Sequence, residues 1–362
     1  MNNKKLDGFD FSEQVQDEFD KARKNIKKPN VLVAGGTGAG KSSLINMLFA
    51  GDPAPVDAGA PVTQEVSEYS CEQANIFDSP GYESGADSQR VFQEKVLSLI
   101  IDNKQSTEKR IHMAWYCISQ GNSRVLDIDT DTIKKIKRQG VPVAVVLTQA
   151  DAATEEDAKV LRKVVTEACP GVEIFETSTD PALALGVDPL LEWAANHIDE
   201  AVRSAFVAAA KGAIPLKLAE GKKVVLHHIG LAGAIAASPI PFSDAPLLLG
   251  NQAAMIARLA HLWSLPGVKT VVSGGMVGQL VSQLGRTLAG NLLKFIPGFG
   301  TFTGDVINVS VATSFTGGMG YGLNEVCAKI YRDQLDGTFR DFSDYLDPDR
   351  LVSLFKSKAK EV

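Results

Sequence analysis

VLVAGGTGAGKSS, residues 31–43, carries an unbroken apolar run into a glycine-rich loop that ends in Gly40-Lys41-Ser42. Val31 to Ala34 predict a strand buried on both faces, and SLINMLFA, residues 43–50, has its apolar residues at helical spacing. A GxxxxGK[ST] loop between a strand and a helix is a phosphate cradle. Gly35, Gly36, Gly38 and Gly40 let successive N–H groups turn inward around an anion. Lys41 would reach the outer phosphates, Ser42 would offer its hydroxyl to Mg²⁺, and the helix that follows points its positive end at the same place. The competing explanation is a glycine turn with an incidental Lys-Ser, which needs strand, loop and helix to fall in register by chance. The nucleotide-binding residues expected here are Gly35, Thr37, Gly38, Ala39, Gly40, Lys41, Ser42 and Ser43.

The chain has 362 residues and 44% hydrophobic content, enough for two domains that each bury a core. A net charge of −6 argues against a protein whose main business is coating nucleic acid, so no nucleic acid is expected as partner. The four cysteines, Cys71, Cys117, Cys169 and Cys327, have irregular separations and no CxxC, which predicts neither a disulfide framework nor a zinc site. A reducing cytosol fits this usage. The first residues, MNNKKLDGFDFSEQ, hold no apolar core of signal-peptide length, so export by that route is not expected.

Residues 1–28 form a separate N-terminal element, because Phe11, Val15, Phe19, Ala22 and Ile26 recur three or four apart and predict one amphipathic helix. That helix is expected to pack on the body of the protein, against its C-terminal part; binding a partner or a membrane surface is the alternative. Downstream of the glycine loop, residues 51–62 (GDPAPVDAGAPV) lack periodicity and predict a loop that ends at Thr63. A threonine there can place a hydroxyl on Mg²⁺ and the γ-phosphate, or can simply start the strand TQEVSEY. QANIFD, residues 73–78, predicts a strand that runs into Ser79-Pro80-Gly81. Asp78 would hold Mg²⁺ through a water and the Gly81 amide would bond the γ-phosphate. VPVAVVL, residues 141–147, predicts a buried strand with Thr148-Gln149-Ala150-Asp151 at its end. Asp151 can accept from both N1–H and the 2-amino group of guanine, a pair adenine cannot supply. A last short strand, residues 172–175, precedes Thr177-Ser178.

Taken in order, GGTGAGKS, Thr63, DSPG, TQAD and Thr177-Ser178 resemble the GTPase superfamily, with details closest to the Era/TrmE-related and immunity-related branches. The resemblance covers residues 29–200. It implies an α/β fold, a doubly wound, mostly parallel sheet, binding GTP or GDP with Mg²⁺. In that pattern Ser42, Thr63 and Asp78 hold the metal, Lys41, Thr63 and Gly81 act in catalysis, and Thr148, Gln149, Asp151, Thr177 and Ser178 hold the base. Three positions depart from it. Gln149 replaces a lysine, Tyr82 stands where many relatives have a water-orienting glutamine, and Gly38 stands where potassium-activated relatives have asparagine. Water positioning is then left to backbone groups, a second copy of the chain or a partner.

Residues 201–362 are expected to form an all-α, Gly/Ala-rich helical domain, reached through a helical stretch that starts at Leu190. Between 224 and 320 only six charged side chains occur in 97 positions, against 22% for the whole chain, too few for an ordinary soluble surface. The longest uncharged run, 224–243, contains two prolines and two histidines and is no convincing membrane span. This region is similar to a helical domain of unknown function appended to some bacterial GTPases, some of which are inner-membrane proteins. A compact soluble bundle and a membrane-touching domain are both consistent with it. The partners expected are therefore a guanine nucleotide, a second copy of the chain and a membrane surface, with a cytoplasmic location that includes the inner face of the membrane. Two functions stay open: a slow, Mg²⁺-dependent GTP-hydrolysing switch that repositions the helical domain, or a GTP-binding structural module with negligible hydrolysis. The five histidines show no metal-ligand or triad arrangement.

Overall fold

The computed structural model describes residues 11–24, 27–49, 66–70, 74–83, 85–122, 124–183, 185–237, 244–263, 309–339, 341, 344–345, 353–355 and 357–358. Thr63 and residues 264–308 lie outside these. The chain forms two compact units, one of residues 27–213 and one that combines residues 1–26 with 214–362.

The first unit is built on a six-stranded sheet. Its strands are β1 (Asn30–Gly35), β2 (Ser67–Ser70), β3 (Asn75–Asp78), β4 (Met113–Ser119), β5 (Val143–Thr148) and β6 (Glu173–Glu176), in the spatial order β2-β3-β1-β4-β5-β6. Of these, β2 runs antiparallel to its neighbour, and β3, β1, β4, β5 and β6 are parallel. Val31 pairs with Ile76 on one side and Met113 on the other. Every residue of β1, β4 and β5 is buried, which is why these strands read as continuous apolar runs rather than alternating ones.

Alternation along β4 sends Ala114, Tyr116 and Ile118 into one layer and Trp115 into the other. On the first face they join Leu32, Phe92, Val96, Ile133 and Leu161. These come partly from α3 (Ala86–Asn103), α4 (Asp127–Arg138) and α5 (Glu155–Ala168). On the second face Trp115 stacks on Phe49 at 5.9 Å, and Phe206 meets both rings edge-on at 6.4 Å. Phe49 closes α2 (Lys41–Leu48), whereas Phe206 lies in α7 (Glu200–Ala209), which follows α6 (Asp188–His197). An edge bridge between Phe49 and Ala210 and a bond from the Lys211 N–H to the Leu48 carbonyl (2.8 Å) complete this layer. The compact unit thus runs to residue 213, past the boundary at 200 that the sequence suggested, because α7 supplies the aromatic that covers Trp115.

The second unit contains α1 (Phe11–Lys24), α8 (Ile214–Ala236), α9 (Asp244–Leu262) and α10 (Val309–Leu335). Val15 of α1 is buried in its core with Val225, Leu249, Ala253, Ile256, Met319, Leu323 and Ile330. The N-terminal helix therefore packs with C-terminal elements. Helices α8 and α10 cross closely at Gly320, where a Cβ would stand 2.7 Å from Val225 and 2.8 Å from the Met255 sulfur. Among the described residues no helix is long and apolar enough to cross a membrane.

Lys217 is fully buried in this unit, with its ammonium 3.3 Å from the Leu262 carbonyl and over the ring of Tyr331 at 5.3 Å. Burial pulls its pKa down to about 7. A lysine whose folded pKa lies below its unfolded one binds fewer protons when folded, so its contribution to stability rises with pH through that window. Lys217→Met should therefore stabilise the protein at pH 7, by on the order of 1–3 kcal/mol, and flatten its stability between pH 7 and 10. Denaturant melts at both pH values check this.

Candidate functional site

Parallel order reverses beside β1, with β3 on one side and β4 on the other, so a crevice opens at the carboxyl end of β1. The glycine loop fills that end. Gly40, just before α2, has φ 71°, in the left-handed region. Gly35 lies so close to β4 that a Cβ would be 2.2 Å from the Cys117 carbonyl oxygen. The amides of the first turn of α2 have no intrahelical carbonyls to bond, and they face the loop with the positive end of the helix. An anion is the natural complement of this arrangement.

Lys41 is the first residue of α2 and is buried, with 8% of its surface exposed. Its ammonium donates to the Gly35 and Gly36 carbonyls at 3.1 and 3.0 Å. Burial lowers its pKa, partly opposed by the charge of Asp78. Asp78 ends β3 next to β1, 1% exposed, and burial lifts its pKa to about 6 against the pull of Lys41 and Ser42. Its Oδ2 stands 3.5 Å from the Ser42 hydroxyl, while Oδ1 is buried without a hydrogen-bond partner. A hard cation between these oxygens would satisfy the orphaned one, so Ser42 and Asp78 fit Mg²⁺. Among the described residues no group of three His, Cys, Asp or Glu could hold a metal. A magnesium site that shares its shell with phosphate oxygens and water does not require one.

A protonated carboxyl cannot hold a cation. With its pKa near 6, Asp78 loses its charge as pH falls through that value, and Mg²⁺-dependent nucleotide affinity should weaken about tenfold between pH 7 and 5. Comparison with Asp78→Asn, which has no carboxyl to titrate, separates this from the nucleotide's own terminal phosphate, which titrates in the same range.

Thr148, Gln149, Asp151, Thr177 and Ser178 gather at the carboxyl ends of β5 and β6, beside the loop. Thr148 is buried and its hydroxyl donates to the Ala39 carbonyl at 2.8 Å, so its side chain braces the glycine loop rather than facing a ligand. Gln149 takes φ 55°, the described non-glycine residue in the left-handed region, and its amide donates to the Gly38 carbonyl at 3.4 Å. Ser119 donates to its oxygen. Asp151 is exposed and accepts from the Ser178 hydroxyl, while the Ala150 N–H bonds the Thr177 carbonyl at 3.1 Å. The two loops thus hold each other and leave a carboxylate edge outward.

Two features were not read from the sequence. Helix α3 escaped notice although Phe92, Val96 and Ile100 follow one another at four-residue spacing. Asp129, in the first turn of α4, is 3% exposed and accepts from Tyr82, from Tyr116 at 2.9 Å and from the Leu126 N–H at 2.9 Å. An acid at the third position of a helix was the available signal, as such residues cap the preceding amide. A cavity of about 350 Å³ opens there between Gly36, Thr37, Tyr82, Arg124 and Asp129. Cys117, on its wall, is no nucleophile, since burial pushes its thiol up to about 12.

Residues 30–149 match the family described as 50S ribosome-binding GTPase. Among curated proteins the chain is similar to a probable GTP-binding protein EngB of Bdellovibrio bacteriovorus, 30% identical over 136 residues. Those residues are 34% of this chain and 62% of the relative, so the chain spans less than two thirds of the length of the curated relative it matches. Among solved structures it is similar to a probable GTP-binding protein engB, at 16% identity over 48% of this chain and 98% of that one, with a TM-score of 0.36. It is also similar to a single-residue variant of Aquifex aeolicus Era bound to GDP and AlF4⁻, at 20% identity over 48% of this chain and 58% of that one, with a TM-score of 0.36. The glycine loop and strands β1 to β5 fall within the matched stretch, and the unit of residues 27–213, to which β6 also belongs, holds a P-loop GTPase domain.

Proposed function

We propose that the chain binds GTP and GDP with Mg²⁺ and hydrolyses GTP slowly, as a switch that acts through its helical unit. The observation that carries this is the meeting of Lys41, Ser42 and an unsatisfied Asp78 oxygen at the mouth of the glycine loop. Lys41 and the loop amides bind the phosphates. Asp78 and Ser42 hold Mg²⁺, which supplies charge neutralisation on the β- and γ-oxygens when bound. Asp151 reads the guanine edge, with Ser178 fixing its rotamer and Gln149 lying alongside. Thr63 and Gly81 meet the γ-phosphate, and the loss of those contacts on hydrolysis frees the segments on either side.

Among the described residues Tyr82, which follows Gly81, is engaged by Asp129 and is not turned to orient water. Turnover should accordingly be slow alone, on the order of one per minute or less, and respond to a second copy or a partner. The same observation favours the second reading, a GTP-binding module with negligible hydrolysis. The helical unit is the output element, in the cytoplasm or at the inner face of the membrane. Leu226, Leu231 and Leu247 are exposed on it and support contact with lipid or with a second copy. Phosphate release from GTP, with and without anionic vesicles, tests the reading. Slow release that vesicles or protein concentration accelerates supports it, and fast, concentration-independent release counts against it.

A further inference from the structure

Tyr82 fastens the segment after Asp78 to the glycine loop at two points and to α4 at a third. Its carbonyl accepts the Thr37 N–H at 3.0 Å. Its ring lies over Gly36, where a Cβ would be 3.3 Å from the ring, and tilts against Phe92 at 5.1 Å. Its hydroxyl donates to Asp129, the buried carboxylate already held by Tyr116 and the Leu126 amide. Gly81 is pressed against Thr37 so closely that a Cβ there would lie 2.5 Å from the Thr37 hydroxyl and 2.6 Å from its amide nitrogen. One loop amide is thus spent on the chain itself, and the contact between Gly81 and Thr37 does not admit a methyl group on Gly81.

We propose that Tyr82 sets the preference of this site for a nucleoside diphosphate over the triphosphate, by holding Gly81 closed on Thr37 until a third phosphate displaces it. This rests on the reading of the loop as a guanine-nucleotide site. A diphosphate needs the amides that follow Thr37, Lys41 and the start of α2, none of which bonds Tyr82. A triphosphate must also part Gly81 from Thr37, so its apparent affinity is lowered by the fraction of molecules that are open. The closed state is favoured by a hydrogen bond to a buried carboxylate, and losing such a bond moves an equilibrium by roughly ten- to a hundredfold. Tyr82 is a positioning residue here, since its side chain touches Asp129 and Gly36 rather than the reacting atoms.

Affinities of the full chain for GDP and for a non-hydrolysable GTP analogue, measured with Mg²⁺, provide the test. Tyr82→Phe keeps the ring and removes the hydroxyl; it should tighten the analogue about tenfold and leave GDP within about twofold. Asp129→Asn, which exchanges a charged acceptor for a neutral one, should move the ratio the same way by less. Tyr116→Phe removes the competing donor on the same Asp129 oxygen, leaves the Tyr82 hydroxyl in place and should not tighten the analogue. An unchanged ratio in Tyr82→Phe, with both nucleotides still bound, overturns the proposal, as does an equal shift in Tyr116→Phe. Absence of guanine-nucleotide binding in the unmutated chain would instead remove the reading on which it rests, and the proposal with it.

Discussion

Lys41→Ala is expected to abolish measurable guanine-nucleotide binding while leaving the empty protein as stable as before or slightly more so. Lys41 is 8% exposed, its ammonium lies against two neutral carbonyls, and burial lowers its pKa despite the opposing charge of Asp78, so its charge is only partly compensated within the chain. A phosphate supplies the rest of that compensation. Truncating one member of a desolvated, hydrogen-bonded charge pair costs about 2–5 kcal/mol, or roughly thirtyfold to several thousandfold in affinity. The empty protein loses a costly buried cation and two bonds to carbonyls that the chain can rebond through water, so its melting temperature should not fall. Calorimetric titration with GDP beside a thermal melt measures both. A folded Lys41→Ala protein that binds GDP as well as the unmutated one would mean the loop does not hold phosphate through this side chain.

Asp151→Asn should change which base is accepted. Two charge-assisted hydrogen bonds to guanine at about 1.5–3 kcal/mol each amount to roughly two to four orders of magnitude in affinity for GTP. An asparagine offers a donor where the carboxylate had only acceptors, which suits xanthine, whose 2-position carries a carbonyl. The variant should therefore lose GTP and gain xanthosine triphosphate, and ATP should bind poorly to both forms. Because Ser178 donates to Asp151 and an amide oxygen can still accept that bond, the local loop should keep its shape. Competition against a fluorescent guanine nucleotide reads all three.

Much of the GTPase domain was legible because its strands are central. Strands buried on both faces must be apolar throughout, and the residues that end them fall at the carboxyl edge of the sheet by geometry alone. Lys41, Ser42 and Asp78 could be brought to one point on that basis. Thr148 shows where that logic stops. Its position at the end of β5 was plain, yet whether its hydroxyl turns to a ligand or back to Ala39 depends on how closely the glycine loop approaches, which no spacing records. Tyr82 is similar, since its partner Asp129 is 47 residues away and became its neighbour only through the packing of α4 on β4. The edge of the domain was hidden for another reason. Helix α7 looks like any Ala-rich helix, and its attachment to the sheet is decided by Phe206 finding Phe49 and Trp115 on the second face.

The pairing of Val15 with the core of the second unit was foreshadowed by the stripe on the first helix, which needed an apolar partner of its own. What its partner would be was not written in the stripe. The low charge of residues 224–320 is met in part by self-burial, as at Gly320, where small residues bring α8 and α10 into contact. Leu226, Leu231 and Leu247 remain exposed on the described surface of that unit.

The most direct test of the account is a competition measurement on the unmutated full chain with Mg²⁺ present, in which GDP, GTP, ADP and ATP each displace a fluorescent guanine nucleotide. The account predicts displacement by both guanine nucleotides and none by the adenine pair at a hundredfold higher concentration. Equal displacement by ATP and GTP, or no binding of the guanine probe at all, would contradict it.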